Sequence, residues 1–310
     1  MNKASVPIIR LSYAPGEHLI SAWARYNLRA GFAYISFDRS LKYWGLPKQH
    51  LKPQRVYDKV QRTITALTTS SDDDFHEVIM KRTVSNLWRL SLSCTEKLEE
   101  ADFTRSNIEH NAFAFTAGWK FCCQCMHADN NKYGFSYWHR NHQLPSLTHC
   151  VIHKCVLTTS DELSHLSKLN LPPMVCEQRF VVASDYIDLR NWSNFLSVVD
   201  SLIEENPNLI DRWKEQIAIE LKVNVKASSR KKEIYKGWQI LFEKEVGTVI
   251  LTHLFKSYHK NYSRKMNILW ATLSGDNNVN GVRHPVYWLV IMYWLRKQLL
   301  HLEDTDYAHL

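Results

Sequence analysis

Between Phe121 and Cys155 the chain packs five of its seven cysteines and five of its fifteen histidines into thirty-five residues. Donors this dense serve as a reactive thiol site, a disulfide framework or a metal clamp. Spacing separates the three. Cys122 and Cys125 form C-x2-C, whose tight turn lets two thiolates face one ion, and Cys150 and His153 form C-x2-H after twenty-four intervening residues. Two such pairs predict a closed tetrahedral site with no open position for water or substrate, hence a structural zinc. Cys123, inside the first pair, and Cys155, just beyond the second, are rival ligands. Cys155 in place of His153 gives the looser C-x4-C.

The compartment bears on the same choice. The first residues, MNKASVPIIRLSYAPGEHL, carry a short apolar patch broken by Pro7 and Arg10, without the core and cleavage site of a secretory signal. The longest strongly apolar run, Val286 to Leu295, stops at Arg296 and Lys297. A bilayer needs about twenty apolar residues, so this run predicts a buried helix and no membrane span. A reducing, cytoplasmic interior is expected, where clustered cysteines hold metal more often than disulfides.

At 310 residues and 45% hydrophobic, the chain can bury two to three cores. Outside the cysteine segment the apolar periodicity is helical. Leu19, Ile20, Trp23 and Leu28 mark one helix, with Glu17 suited to the first turn and Gly31 to the C-cap; Val56, Val60, Ile64 and Leu67 mark a second. A third follows Asp72 to Asp74 in FHEVIMKRTVSNLWRL. The paired prolines of LNLPP mark a boundary near residue 172. Beyond it, WSNFLSVVDSLIEENP and LIDRWKEQIAIEL are amphipathic and broken at Pro207, and YKGWQILFEKEVGTVILTHLF reads as two helices about Gly247, similar to a helix-turn-helix. The expected fold is mainly α: a helical N-terminal domain over 1–117, a zinc-knuckle module over 118–172 and a basic helical C-terminal domain over 173–310 with helix-turn-helix-like elements.

Charge points to the partner. The formal net charge is +8 with a pI near 9.0, which suits a polyanion. From Val246 to Leu302 seven Lys or Arg face the single acid Asp276, and Lys222 to Gly237 holds six basic residues with only Glu233. Candidate nucleic-acid contacts are Lys231, Lys232, Lys256, Lys260, Arg264 and Lys265, with Arg140 in the zinc segment. Catalytic signatures are missing: there is no Gly-rich phosphate loop, no G-x-S-x-G and no H-E-x-x-H, and nine glycines leave little room for a nucleotide cradle. His139 and His142 resemble the histidines of HNH-type nucleases, which also carry zinc-knuckle cysteines. Trp138 and Arg140 flank His139, with no evident carboxylate nearby, so packing over the knuckle is the expected use and no enzyme activity is expected.

CCQCMHADNNKYGFSYWHRNHQLPSLTHCVIHKCVL, from Cys122, resembles the zinc segment of the TniQ/TnsD family of transposon target-selection proteins, in which C-x2-C precedes YW-x-R-x-HQLP and then C-x2-H. PGEHLISAWAR, Pro15 to Arg25, is similar to the family's P-x-E-x-L-x-S-x-x-x-R signature, and HPVYWLVIMYWL, His284 to Leu295, to a His-Pro helix of the TnsD branch. The resemblance implies zinc ligands at Cys122, Cys125, Cys150 and His153, with Trp138, Arg140 and His142 as motif residues between them. It implies a non-catalytic adaptor that binds double-stranded DNA at the insertion site and recruits an AAA+ ATPase regulator and then the transposase complex. In CRISPR-associated relatives the adaptor is a homodimer carried on an RNA-guided complex, which is the alternative reading.

Overall fold

The computed structural model describes residues 10–31, 44, 59–68, 75–92, 111–116, 118–160, 170–173, 186–223, 235–273 and 284–300. By contact the chain forms two compact units that cut across chain order: Met1–Ser85 joins Ala117–Val181, and Asn86–Thr116 joins Val182–Leu310.

In the first unit, α1 (Leu19–Arg29) starts at His18, whose Nδ1 accepts the Ile20 amide at 3.1 Å. It ends where Gly31 takes a left-handed φ of 74°, a conformation that costs glycine little. Glu17, expected to act by charge in the first turn, lies before the helix and pairs instead with Arg25. Helices α2 (Lys59–Thr68) and α3 (Phe75–Arg82) follow. β1 (Trp119–Phe121) leads into α4 (Cys123–Tyr133) and pairs antiparallel with β2 (Thr158–Ser160), Lys120 opposite Thr159. An isolated helix of α1's length is marginal in water. Burial of Leu19, Ile20 and Trp23 against Ile64, Trp119 and Trp138 contributes about 1.5–3 kcal/mol per large side chain and holds it.

Helix α4 was not foreshadowed by periodicity. Its sequence CQCMHADNNKY buries only Cys123, Cys125, Met126 and Asp129, too narrow an apolar stripe to register. Its ends define it: Cys122 Sγ accepts the Cys125 amide at 3.4 Å, and Gly134 closes it with φ 76°.

In the second unit, α5 (Tyr186–Glu205) and α6 (Leu209–Glu220) are separated at Pro207 as the sequence predicts. α7 (Lys236–Val246) and α8 (Thr248–Leu254) meet at Gly247 alone, with φ 86° and ψ 156°. A DNA-reading helix-turn-helix carries a turn of about three to four residues, so this junction is tighter. After α9 (Ile268–Leu273), helix α10 (Val286–Trp294) is buried at every position, and α11 (Arg296–Leu300) follows. Apolar character all round is the mark of a core helix: Tyr293 meets Trp192 and Phe195 edge-on at 5.3 and 5.2 Å. His284 of the His-Pro pair caps α10 through Nδ1 on the Val286 amide at 3.2 Å and packs on Phe113 at 4.6 Å. Among the described residues no helix is long and apolar enough to cross a membrane.

Candidate metal centre

Two tight turns of the first unit bring the donors together. Cys122 and Cys125 stand at the N-terminus of α4. Cys150 and His153 occupy a hairpin closed by the Lys154 amide on the Cys150 carbonyl and the Cys150 amide on the Cys155 carbonyl, both at 2.8 Å. The His153 amide points at Cys150 Sγ at 3.5 Å, so each pair carries an N–H···S bond within its turn. His153 Nδ1 lies 3.4 Å from Cys122 Sγ, 3.2 Å from Cys125 Sγ and 3.7 Å from Cys150 Sγ, and Cys125 lies 3.7 Å from Cys150. All four ligand atoms fall within 4.8 Å of one another. Tetrahedral zinc with Zn–S near 2.3 Å sets its ligand atoms about 3.5–3.8 Å apart. The three cysteines are buried and His153 is half-buried. This Cys3His group can therefore hold a metal ion, and four protein ligands close its coordination shell.

The electrostatics favour an ion. Hydrogen bonding from Cys125 draws the Cys122 thiol down, and the same contact, with Cys150 and burial, pushes Cys125 up. Once one thiolate forms, its charge opposes the next; a bound cation removes that opposition.

Around the donors, motif residues serve as supports. His142 is buried with Nε2 3.8 Å from Cys125 Sγ, and burial holds its imidazole below the ordinary histidine pKa. Gln143 pairs with the Lys120 backbone in both directions, accepting the Lys120 amide at 3.0 Å and donating to its carbonyl at 2.7 Å. Lys120 is itself buried and donates to the carbonyls of Leu144 and Leu147 at 2.8 and 3.0 Å, and desolvation lowers its pKa to about 7. Cys123 faces the core, with Sγ 3.9 Å from Thr158 Oγ1. It is not a member of the four-donor group.

The amino-terminal signature closes over this segment. The His18 amide donates to the Trp138 carbonyl at 2.9 Å, the Arg140 amide to Gly16 at 2.8 Å and the Trp138 amide to Ser21 Oγ at 3.0 Å. Glu17 accepts from Ser21 at 3.1 Å and from Arg25 at 3.2 and 2.7 Å. Glu17, Ser21 and Arg25 of the P-x-E-x-L-x-S-x-x-x-R stretch thus form one buried polar knot beneath the YW-x-R stretch, while Leu19 joins the core.

Two sequence expectations change. Arg140 is 3% exposed; its Nε donates to the Thr83 carbonyl at 2.6 Å and Nη1 to Asn141 at 3.0 Å, so it braces the end of α3 and offers no surface to a phosphate. His139 does have a carboxylate: Asp129 Oδ2 lies 2.7 Å from Nε2, ten residues earlier in the chain. Asp129 follows Cys125 by one helical turn, which only α4 makes evident. The pair is 18% and 9% exposed beneath the Tyr137 ring, 4.4 Å from His139, and gathers no third metal donor among the described residues. Finally, Lys256 is half-buried while Lys260, Arg264 and Lys265 are exposed after α8. Lys265 approaches Glu243 at 3.6 Å and sits over the Tyr258 ring at 5.6 Å. Lys231 and Lys232 lie outside the described residues.

Comparison with curated proteins finds no match. The TniQ family model matches residues 8–157, a span that begins just before the Glu17–Arg25 knot and ends just past the donor hairpin. That region carries the Cys3His group and the motif contacts around it, and over it the chain carries a domain that matches TniQ, a family of transposition-associated DNA-binding adaptors.

Proposed function

We propose that this chain is a non-catalytic selector of transposition target sites, which binds double-stranded DNA in the cytoplasm and recruits an AAA+ ATPase regulator and, through it, the transposase. The TniQ match over residues 8–157 carries the reading. The donor group supports it, because four protein ligands leave no coordination position for water or substrate. Three thiolates and one imidazole suit zinc, whose role would be to tie α4 to the hairpin.

The second unit supplies the DNA surface in this reading. Lys260, Arg264 and Lys265 are exposed within a stretch poor in acids, which suits sequence-independent phosphate contact. With Lys260→Ala and Arg264→Ala combined, affinity falls on all duplexes alike, and the slope of log K against log salt flattens by up to about 1.8, or 0.9 per lost phosphate contact. Fluorescence anisotropy over a salt series measures it. An unaltered slope would mean that this stretch meets solvent or protein instead.

A further inference from the structure

Beside the four-donor group stands one further sulfur, that of Cys155. Cys155 Sγ lies 3.3 Å from Cys122 Sγ, and His153 Nδ1 lies 3.4 Å from that same sulfur. Both approach from one hairpin and stand on either side of Lys154, whose φ of 56° turns the chain between them. The hydrogen bond from the Cys150 amide to the Cys155 carbonyl, at 2.8 Å, fixes the Cys155 backbone beside a ligand. Cys155 and His153 are both half-buried at the rim of the group, while Cys122, Cys125 and Cys150 lie inside. Cys123 has no such placement, since it faces the core.

We propose that Cys155 is an alternative fourth ligand: Cys122, Cys125 and Cys150 hold the ion throughout, and the remaining position is filled by His153 or, when that imidazole swings out, by the Cys155 thiolate. The inference rests on the metal reading of this site. In the exchange the Cys155 S–H bond breaks, the sulfur binds the metal, the proton leaves to solvent and the imidazole nitrogen is released. The four-sulfur form is softer and suits thiophilic ions such as cadmium better than the histidine form does. Ligand exchange also lets the hairpin change shape without losing its ion.

Cobalt(II) titration of the full chain tests this, because thiolate-to-cobalt charge-transfer absorption grows with the number of coordinating sulfurs. Cys155→Ser is expected to bind one cobalt with the absorption of the unsubstituted protein. His153→Ala is expected to bind one cobalt with stronger charge-transfer absorption. The double variant should bind at least roughly tenfold more weakly than His153→Ala, since losing even an outer-shell partner costs that much. Equal, weak binding by His153→Ala and the double variant would overturn the exchange. Failure of the unsubstituted protein to bind cobalt would overturn the metal reading itself and this inference with it. Should His153→Ala not fold, carbethoxylation of histidine by diethylpyrocarbonate gives the same comparison on folded protein: the zinc-loaded unsubstituted chain keeps its zinc and Cys155→Ser releases it, whereas equal release from both overturns the inference.

Discussion

Arg25 and Glu17 carry opposite charges to a place where neither meets water, with side chains 8% and 0% exposed. Such a pair is worth little against an apolar pair of the same shape, but removing one partner strands the other. Arg25→Met should therefore cost about 3–5 kcal/mol, and Glu17→Gln combined with it should recover part of the loss. Denaturant unfolding of the single and double variants checks this, and a single-variant loss under about 1 kcal/mol would contradict the buried pair. His18 sets a different dependence. Burial, with Arg140 nearby, lowers its pKa from 6.5 to about 3, so the folded state keeps it neutral while the unfolded chain takes up a proton. Stability is full above pH 6.5 and falls as pH drops from 6.5 toward 3, by up to about 1.4 kcal/mol per unit. His18→Asn keeps a side-chain cap for α1 and should flatten that limb in unfolding measured across pH; an unchanged acid limb would contradict a neutral buried imidazole. Neither role was legible in the sequence. The spacing of Glu17, Leu19, Ser21 and Arg25 resembled a family signature, and only folding shows that its polar members meet.

The metal group joins two elements that have little else to define them. α4 lacks a wide apolar stripe, and the hairpin at Cys150–Cys155 is a turn with an isolated bridge between His149 and Val156. Paired C-x2-C and C-x2-H spacings picked out four side chains that the fold brings together, because each pair is local and its geometry is set within one turn. The helix between them escaped notice, and with it Asp129, because caps and metal ligands define α4 where apolar periodicity does not. α10 was legible for the opposite reason: an uninterrupted apolar run can only be buried. Structural zinc binding supplies on the order of 10 kcal/mol of apparent folding energy in zinc-finger peptides. Chelation, or Cys122→Ser, should therefore lower the melting temperature steeply and yield aggregated protein. An unchanged melt with the metal demonstrably removed would deny the group its structural role.

At the scale of the molecule, two compact units divide the chemistry. The first holds the Cys3His group and both packed motifs; the second holds the exposed Lys260, Arg264 and Lys265 and the buried His-Pro helix. Composition showed the positive charge but not where it is exposed: Arg140 proved to be a buried brace and Lys256 is half-buried, while Lys260, Arg264 and Lys265 face water. In the proposed reading the protein marks DNA without cutting it. The most direct measurement is selection of bound duplexes from a random or genomic pool at near-physiological salt, with strand length checked after incubation in magnesium. A selector enriches one site and leaves every strand intact. Sequence-blind, salt-sensitive binding would contradict direct selection and assign the address to an RNA-guided partner, and strand cleavage lost in His139→Ala would contradict the non-catalytic reading altogether.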